Sequence, residues 1–196
     1  MNGAPKMVLY VGHPPEYNLC VTAKPRPAAP EESAPKVAAV FFTEVVAKSD
    51  KEYALLEKHS DGAPKLSLVD FQMEALIYGL HCLDRAVFAF WGADYRAAFM
   101  NRAFTFICDM FCDVMTDSQR KRFLEGFKKL CDARQLEYGA MKPVVGEDGL
   151  PKNVLPYEFS KRLCIDAGVY NPATHIVLME WAGGIMTMML EIAEEL

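Results

Sequence analysis

The sequence predicts an all-α protein, a bundle of five or six helices behind a proline-rich, mostly irregular N-terminal arm. Three observations predict it. Apolar residues recur at three- and four-residue spacing from Val37 onward. Capping residues (Ser67, Thr116, Asn171) stand at the head of the later periodic stretches, and glycine or proline stands at the ends. Hydrophobic residues make up 52% of the 196 residues and charged residues 24%, which is ample material for one core.

Residues 1–36 read as an arm and linker. They hold seven of the twelve prolines: Pro5, Pro14, Pro15, Pro25, Pro27, Pro30 and Pro35. Proline fixes φ and lacks an N–H, so no long helix is expected there. Met7–Val11 and Leu19–Thr22 suit short extended segments, and Lys24–Pro35 suits a linker. Residues 37–196 form the single bundle domain. Its first helix starts near Ser33 and runs through Val37, Val40, Phe41 and Val45. It continues or restarts through Tyr53, Leu55 and Leu56 and stops before Asp61-Gly62-Ala63-Pro64.

The second helix opens on Ser67-Leu68-Val69-Asp70, a capping box with Asp in the place of Glu or Gln. It runs to Trp91, where Gly92 is a natural stop. A third covers about Asp94–Met115. Thr116-Asp117-Ser118-Gln119 is a fuller capping box for a fourth, which runs to about Tyr138 before Gly139. Residues 139–156 are a Gly/Pro loop with a turn at Gly146–Gly149. Pro156 opens a fifth helix to about Asp166, with Gly168 after it. Asn171 as N-cap and Pro172 as first helical residue start the last, which runs nearly to Leu196. The links between helices are short, so neighbours run antiparallel.

Helix Leu68–Trp91 is the most informative. Advanced about 100° per residue, Asp70, Glu74, His81, Asp84 and Arg85 fall in an arc of roughly 100°. Nearly all the rest is apolar, which suggests a central helix covered on most sides. Ala75, Gly79, Cys82 and Ala86 are small and lie together, leaving room for a close neighbour. Glu74, His81 and Asp84 are candidate ligands for a transition metal, or an acid–base set, because bundles build such sites from inward carboxylates and imidazoles. The alternative is one polar stripe of ion pairs: Asp84 with Arg85 of a partner chain or with Arg102, and His81 with Glu74 or Asp84. Against the metal, the Glu–His spacing is seven and no Glu-x-x-His occurs.

Cys108 and Cys112, four apart on one helix side, could be a redox pair or half a zinc site. No second pair completes a zinc knuckle, so buried thiols are the plainer reading. The six cysteines lie mostly in apolar helical patterns, and no signal peptide precedes them, so reduced thiols in a cytoplasm are expected. The net charge of −5 gives no overall attraction to nucleic acid. The fourth helix concentrates Arg120, Lys121, Arg122, Lys128, Lys129 and Arg134, but interleaved acids suggest a solvated face. Met73–Trp91 carries four ionisable groups and Ile176–Leu190 is short and carries Glu180, so neither predicts a membrane span. Arg85, Arg102, Asp109 and Glu180 are candidates for ion pairs or contacts with a partner.

His81-Cys82-Leu83-Asp84-Arg85, followed by Gly92, Arg96 and Phe99-Met100, resembles a segment of small bacterial helical proteins. There an H-x-x-D-R run on one helix leads through a Gly turn into R-x-x-F-M on the next. The resemblance covers about Leu68–Phe106. It implies an antiparallel helical pair and a bacterial cytoplasmic setting, and it carries no activity, ligand or partner.

No Walker loop, G-x-G-x-x-G, G-x-S-x-G or H-E-x-x-H is present, which leans away from an enzyme and from any bound cofactor. The leading expectation is a soluble helical protein that acts by association with itself or another protein. The methionine-rich last helix (Met179, Met186, Met188, Met189) and its Gly183-Gly184 pair fit a self-association face. The alternatives are a metal or acid–base bundle enzyme using Glu74, His81 and Asp84, and a bundle holding an apolar small molecule among Phe88, Trp91, Phe106 and Trp181.

Overall fold

Proline at the first helical position loses nothing by lacking an N–H, and Pro30 stands there at the head of α1 (Pro30–Phe41). The computed structural model describes residues 28–46, 49–113, 115–141, 144–145, 151–152, 154–169 and 171–196. The extended segments expected at Met7–Val11 and Leu19–Thr22, and the turn at Gly146–Gly149, lie outside them. Helix α1 begins earlier than the sequence suggests, within the proline-rich stretch. Glu31 and Glu32 in its first turn suit the positive end of the helix dipole. Ala34, Ala38 and Phe41 face the core, so burial outweighs the hydrogen bond lost at Pro35. A π turn, Phe42–Val46, ends this stretch before α2 (Asp50–His59) restarts it.

Helix α3 (Leu68–Cys112) is continuous by hydrogen bonding but is two helices in geometry. Gly92 takes φ +80° and ψ −179°, a conformation open in practice only to glycine. In a straight helix residues 84 and 96 would stand about 18 Å apart. Arg96 Nε instead lies 2.6 Å from Asp84 Oδ1. Ile77 with Phe104, Leu80 with Met100 and Asp84 with Arg96 line one small space, so the halves fold back as an antiparallel hairpin. From Phe71 to Val87 every residue is buried except the half-buried Gln72 and Arg85. This first half is the centre of the bundle, as its apolar circumference predicts.

Its neighbours follow from its side chains. Gly79 lets α1 come close, since a Cβ there would sit 2.3 Å from Phe41 Cε2. Helix α6 (Pro172–Glu195) runs alongside: Phe71 stacks on Trp181 at 5.4 Å, Tyr78 Oη donates to the Ala182 carbonyl at 3.0 Å, and Trp91 Nε1 donates to the Ala193 carbonyl at 2.7 Å. Those contacts advance together along both helices, so the two are parallel. Helix α4 (Asp117–Ala140) and α5 (Val154–Ala167) complete the surround.

The caps are those the sequence indicates. Ser67 Oγ accepts from the Asp70 N–H at 3.1 Å. Its hydroxyl also donates to the Asp70 carboxylate at 2.6 Å, so the short Asp does not reach back to the backbone as a Glu would. Gln119 Oε1 takes the Thr116 N–H at 3.0 Å and closes a capping box. Asn171 Oδ1 takes the Ala173 N–H at 2.9 Å. At the end of α5, Gly168 has φ +74° and the Val169 N–H returns to the Cys164 carbonyl at 2.8 Å. Helix α4 runs through Gly139 rather than stopping before it, and α3 ends at Cys112 rather than at Met115. Val144–Val145 pairs antiparallel with Pro151–Lys152, a two-residue ladder inside the expected loop.

Candidate functional site

The polar stripe of α3 lies where α3, α4 and α5 meet, and arginines fill it. Glu74 is buried at 6% exposure. Arg134 of α4 approaches it side-on, with Nη2 2.6 Å from Oε1 and Nε 3.0 Å from Oε2. Arg162 of α5 adds Nη2 at 2.8 Å from Oε2. Glu137 receives both cations, Arg162 Nη1 at 2.8 Å and Arg134 Nη1 at 3.0 Å. Two guanidiniums and two carboxylates balance. Arg162 Nη2 also donates to Tyr138 Oη, and its buried Nε makes no hydrogen bond among the described residues but faces Asp166 Oδ2 at 4.0 Å.

Asp84 is held by Arg96 across the Gly92 turn in bidentate fashion, at 2.6 and 2.7 Å. His81 is 3% exposed, and its Nδ1 stands 2.7 Å from Gln135 Oε1. A carbonyl oxygen only accepts, so with this amide orientation Nδ1 carries the proton. Burial is the main force on the imidazole and lowers its pKa; the Gln135 bond works the other way.

Each expected site residue can now be placed. Glu74, His81 and Asp84 are all buried on the inward stripe, but they do not converge. Among the described residues no three His, Cys, Asp or Glu side chains gather as a metal would require. The partners are Arg134, Arg162, Arg96 and Gln135, where Arg85, Arg102 and the stripe's own members were expected. The physical reason is charge: a buried carboxylate costs several kcal/mol unless paired, and a guanidinium fork satisfies both its oxygens. Arg85 is half-buried and Arg102 exposed. Asp109 pairs with Arg120 on the surface, and Glu180 is exposed on α6. Arg134 belonged to the basic stretch of α4 and Arg96 to the resemblance, so both carried some signal. Arg162 and Gln135 carried none.

The arrangement offers little chemistry. Burial first of all raises the Tyr138 and Tyr78 hydroxyls above the ordinary tyrosine range, so both stay protonated. Cys82, Cys108, Cys112, Cys131 and Cys164 are free thiols. Burial pushes Cys82 and Cys108 up to about 12 and Cys164 up to about 11. A thiol so raised is a poor nucleophile at neutral pH. A space of about 20 Å³ beside Asp84, Arg96 and Gln135 has room for one water. None of Phe88, Trp91, Phe106 and Trp181 lines it.

Helix α6 presents a second surface. It is 24 residues long with a stretch of mean hydropathy 1.5, long and apolar enough by length and composition to cross a membrane. The sequence places this helix from Asn171 nearly to Leu196, as observed, but counts only Ile176–Leu190, interrupted by Glu180, as its apolar stretch. Only 28% of that stretch is buried, and Ile176, Val177 and Leu190 are 51%, 42% and 42% exposed.

Fold and site together define an all-helical bundle centred on a hairpin whose polar stripe is closed by arginines. No protein-family model, curated protein or solved structure matches the chain. The His81–Met100 pattern has a structural logic of its own: its Asp84 and Arg96 lock the hairpin, and its Phe99 and Met100 are buried inside it.

Proposed function

We propose that this protein acts by association with other protein surfaces, through α6, rather than by catalysis. The observation that carries the reading is the apolar stretch of α6 with only 28% of it buried. Apolar area left in water at this density is characteristic of contact surfaces. The quenched state of Glu74, His81 and Asp84 supports it from the other side, since a metal would have to compete with three arginines for two carboxylates. Tyr78 and Trp91, bonded to the α6 backbone, favour a helix that stays in its bundle over one that leaves it for a bilayer.

The test is a photo-crosslinking side chain placed at Val177 or at Thr187 in the full chain, in its own cells. Protein adducts are expected at both positions, with none from the same group at exposed Lys51 of α2. No protein adduct at either α6 position, or adducts to lipid alone, overturns the reading.

A further inference from the structure

Helix α6 and helix α4 have outer faces that match each other. Residues seven apart on a helix stay nearly in line, drifting about 20°. On α6, Ile176, Gly183 and Leu190 make one such row, and Val177, Gly184 and Glu191 make another, with Glu180 and Thr187 between them. Among the described residues a Cβ built on Gly183 or Gly184 meets nothing within 4 Å, so no contact among them accounts for either glycine. Each costs about 1 kcal/mol against alanine in a helix interior. The face is apolar and acidic, and α6 contains no Lys or Arg.

On α4, Arg122, Lys129 and Leu136 form an exposed row, with Leu136 at 63% exposure. Beside it runs a row of small exposed residues, Gly126, Ala133 and Ala140, and a Cβ on Gly126 again meets nothing within 4 Å. Lys128 is paired with Asp132 and Arg120 with Asp109. Lys121, Arg122 and Lys129 then outnumber Glu125 on this outer side. Both helices are 24 residues long, so the rows have equal reach.

Resting on the association reading above, we infer that the occupant of the α6 face is the α4 face of a second copy of this chain. Small rows on both helices allow a close approach at a shallow crossing angle. Arg122 and Lys129 meet Glu180 and Glu191, while Leu136 meets the Ile176–Leu190 row. Two α6 faces cannot pair as well, because each brings only carboxylates. The contact joins unlike surfaces: made twice between two copies it closes a two-fold dimer, and made once per pair it generates a ring or a filament.

Sedimentation of the full chain from low to high micromolar concentration tests this. The wild type is expected to self-associate, more weakly as salt rises. The double variants Glu180→Lys/Glu191→Lys and Arg122→Glu/Lys129→Glu change exposed residues only. Each alone is expected to weaken association by about tenfold or more, roughly 1.4 kcal/mol per tenfold. An equimolar mixture of the two is expected to associate again, each reversed face meeting its reversed complement. A wild type that is monomeric throughout, a variant that associates as tightly as wild type, or a mixture that stays monomeric overturns the inference. Photo-adducts on α6 to a different protein, with a monomeric wild type, would overturn this inference and leave the association reading standing.

Discussion

Glu74 shows how one buried residue organises three helices. Its two oxygens take bonds from Arg134 and Arg162, which belong to α4 and α5. Removing its charge leaves two half-buried guanidiniums short of an anion. Glu74→Gln is therefore expected to lower stability by about 3–5 kcal/mol, read as a shift in urea midpoint with unchanged slope. His81 makes a different prediction. Its pKa is lowered by burial, so it stays neutral in the fold while an unfolded imidazole takes a proton near 6.5. Below that pH the unfolded chain binds more protons, and stability falls as the pH drops. The urea midpoint should decline between pH 7 and pH 5, and His81→Gln should remove part of the decline. An identical slope in the variant would contradict this. Gly79→Ala places a methyl group into the Phe41 ring, 2.5 Å from its Cζ. A loss of at least about 1–3 kcal/mol is expected, partly recovered by adding Phe41→Leu.

At the scale of elements, glycine means different things in different helices. Gly92 is at φ +80° with empty space where a Cβ would go, so its constraint is in the backbone alone. Gly92→Ala should cost about 1–3 kcal/mol. Gly126 also has empty space, but within an ordinary helix, and Gly126→Ala should instead stabilise by up to about 1 kcal/mol. Thermal melts of the two variants in dilute solution should move in opposite directions. The helices were legible because their signals are local: Ser67, Thr116 and Asn171 cap neighbours three residues away or fewer, and Gly92 and Gly168 end their turns themselves. The start of α1 was not legible, because what holds Pro30–Phe41 helical is distant: Phe41 against Gly79, and Ser33 Oγ 3.1 Å from Tyr95 Oη. The site was half legible for the same reason. The inward stripe of Glu74, His81 and Asp84 follows from helical spacing within one segment. Its arginine partners follow only from which helices pack beside it, and a single sequence does not encode that in any local pattern.

At the scale of the whole molecule, burial makes the five thiols among the described residues silent. Ellman's reagent should leave Cys82, Cys108, Cys112, Cys131 and Cys164 unmodified in the native protein and modify all five after denaturation. Rapid reaction at Cys108 or Cys112 under native conditions would contradict their placement. The parallel pairing of α3 with α6 has a consequence for how the protein is made. Tyr78 waits for Ala182, Trp91 for Ala193 and Glu74 for Arg162, partners 104, 102 and 88 residues further on. A ribosome adding about 5–20 residues per second needs on the order of 5–20 s to deliver them. Through that interval the central, most deeply buried helix among those described is out of the tunnel with one wall of its core missing. The nascent chain should therefore draw on chaperones that shield apolar helices, and it should release them only once α6 has emerged.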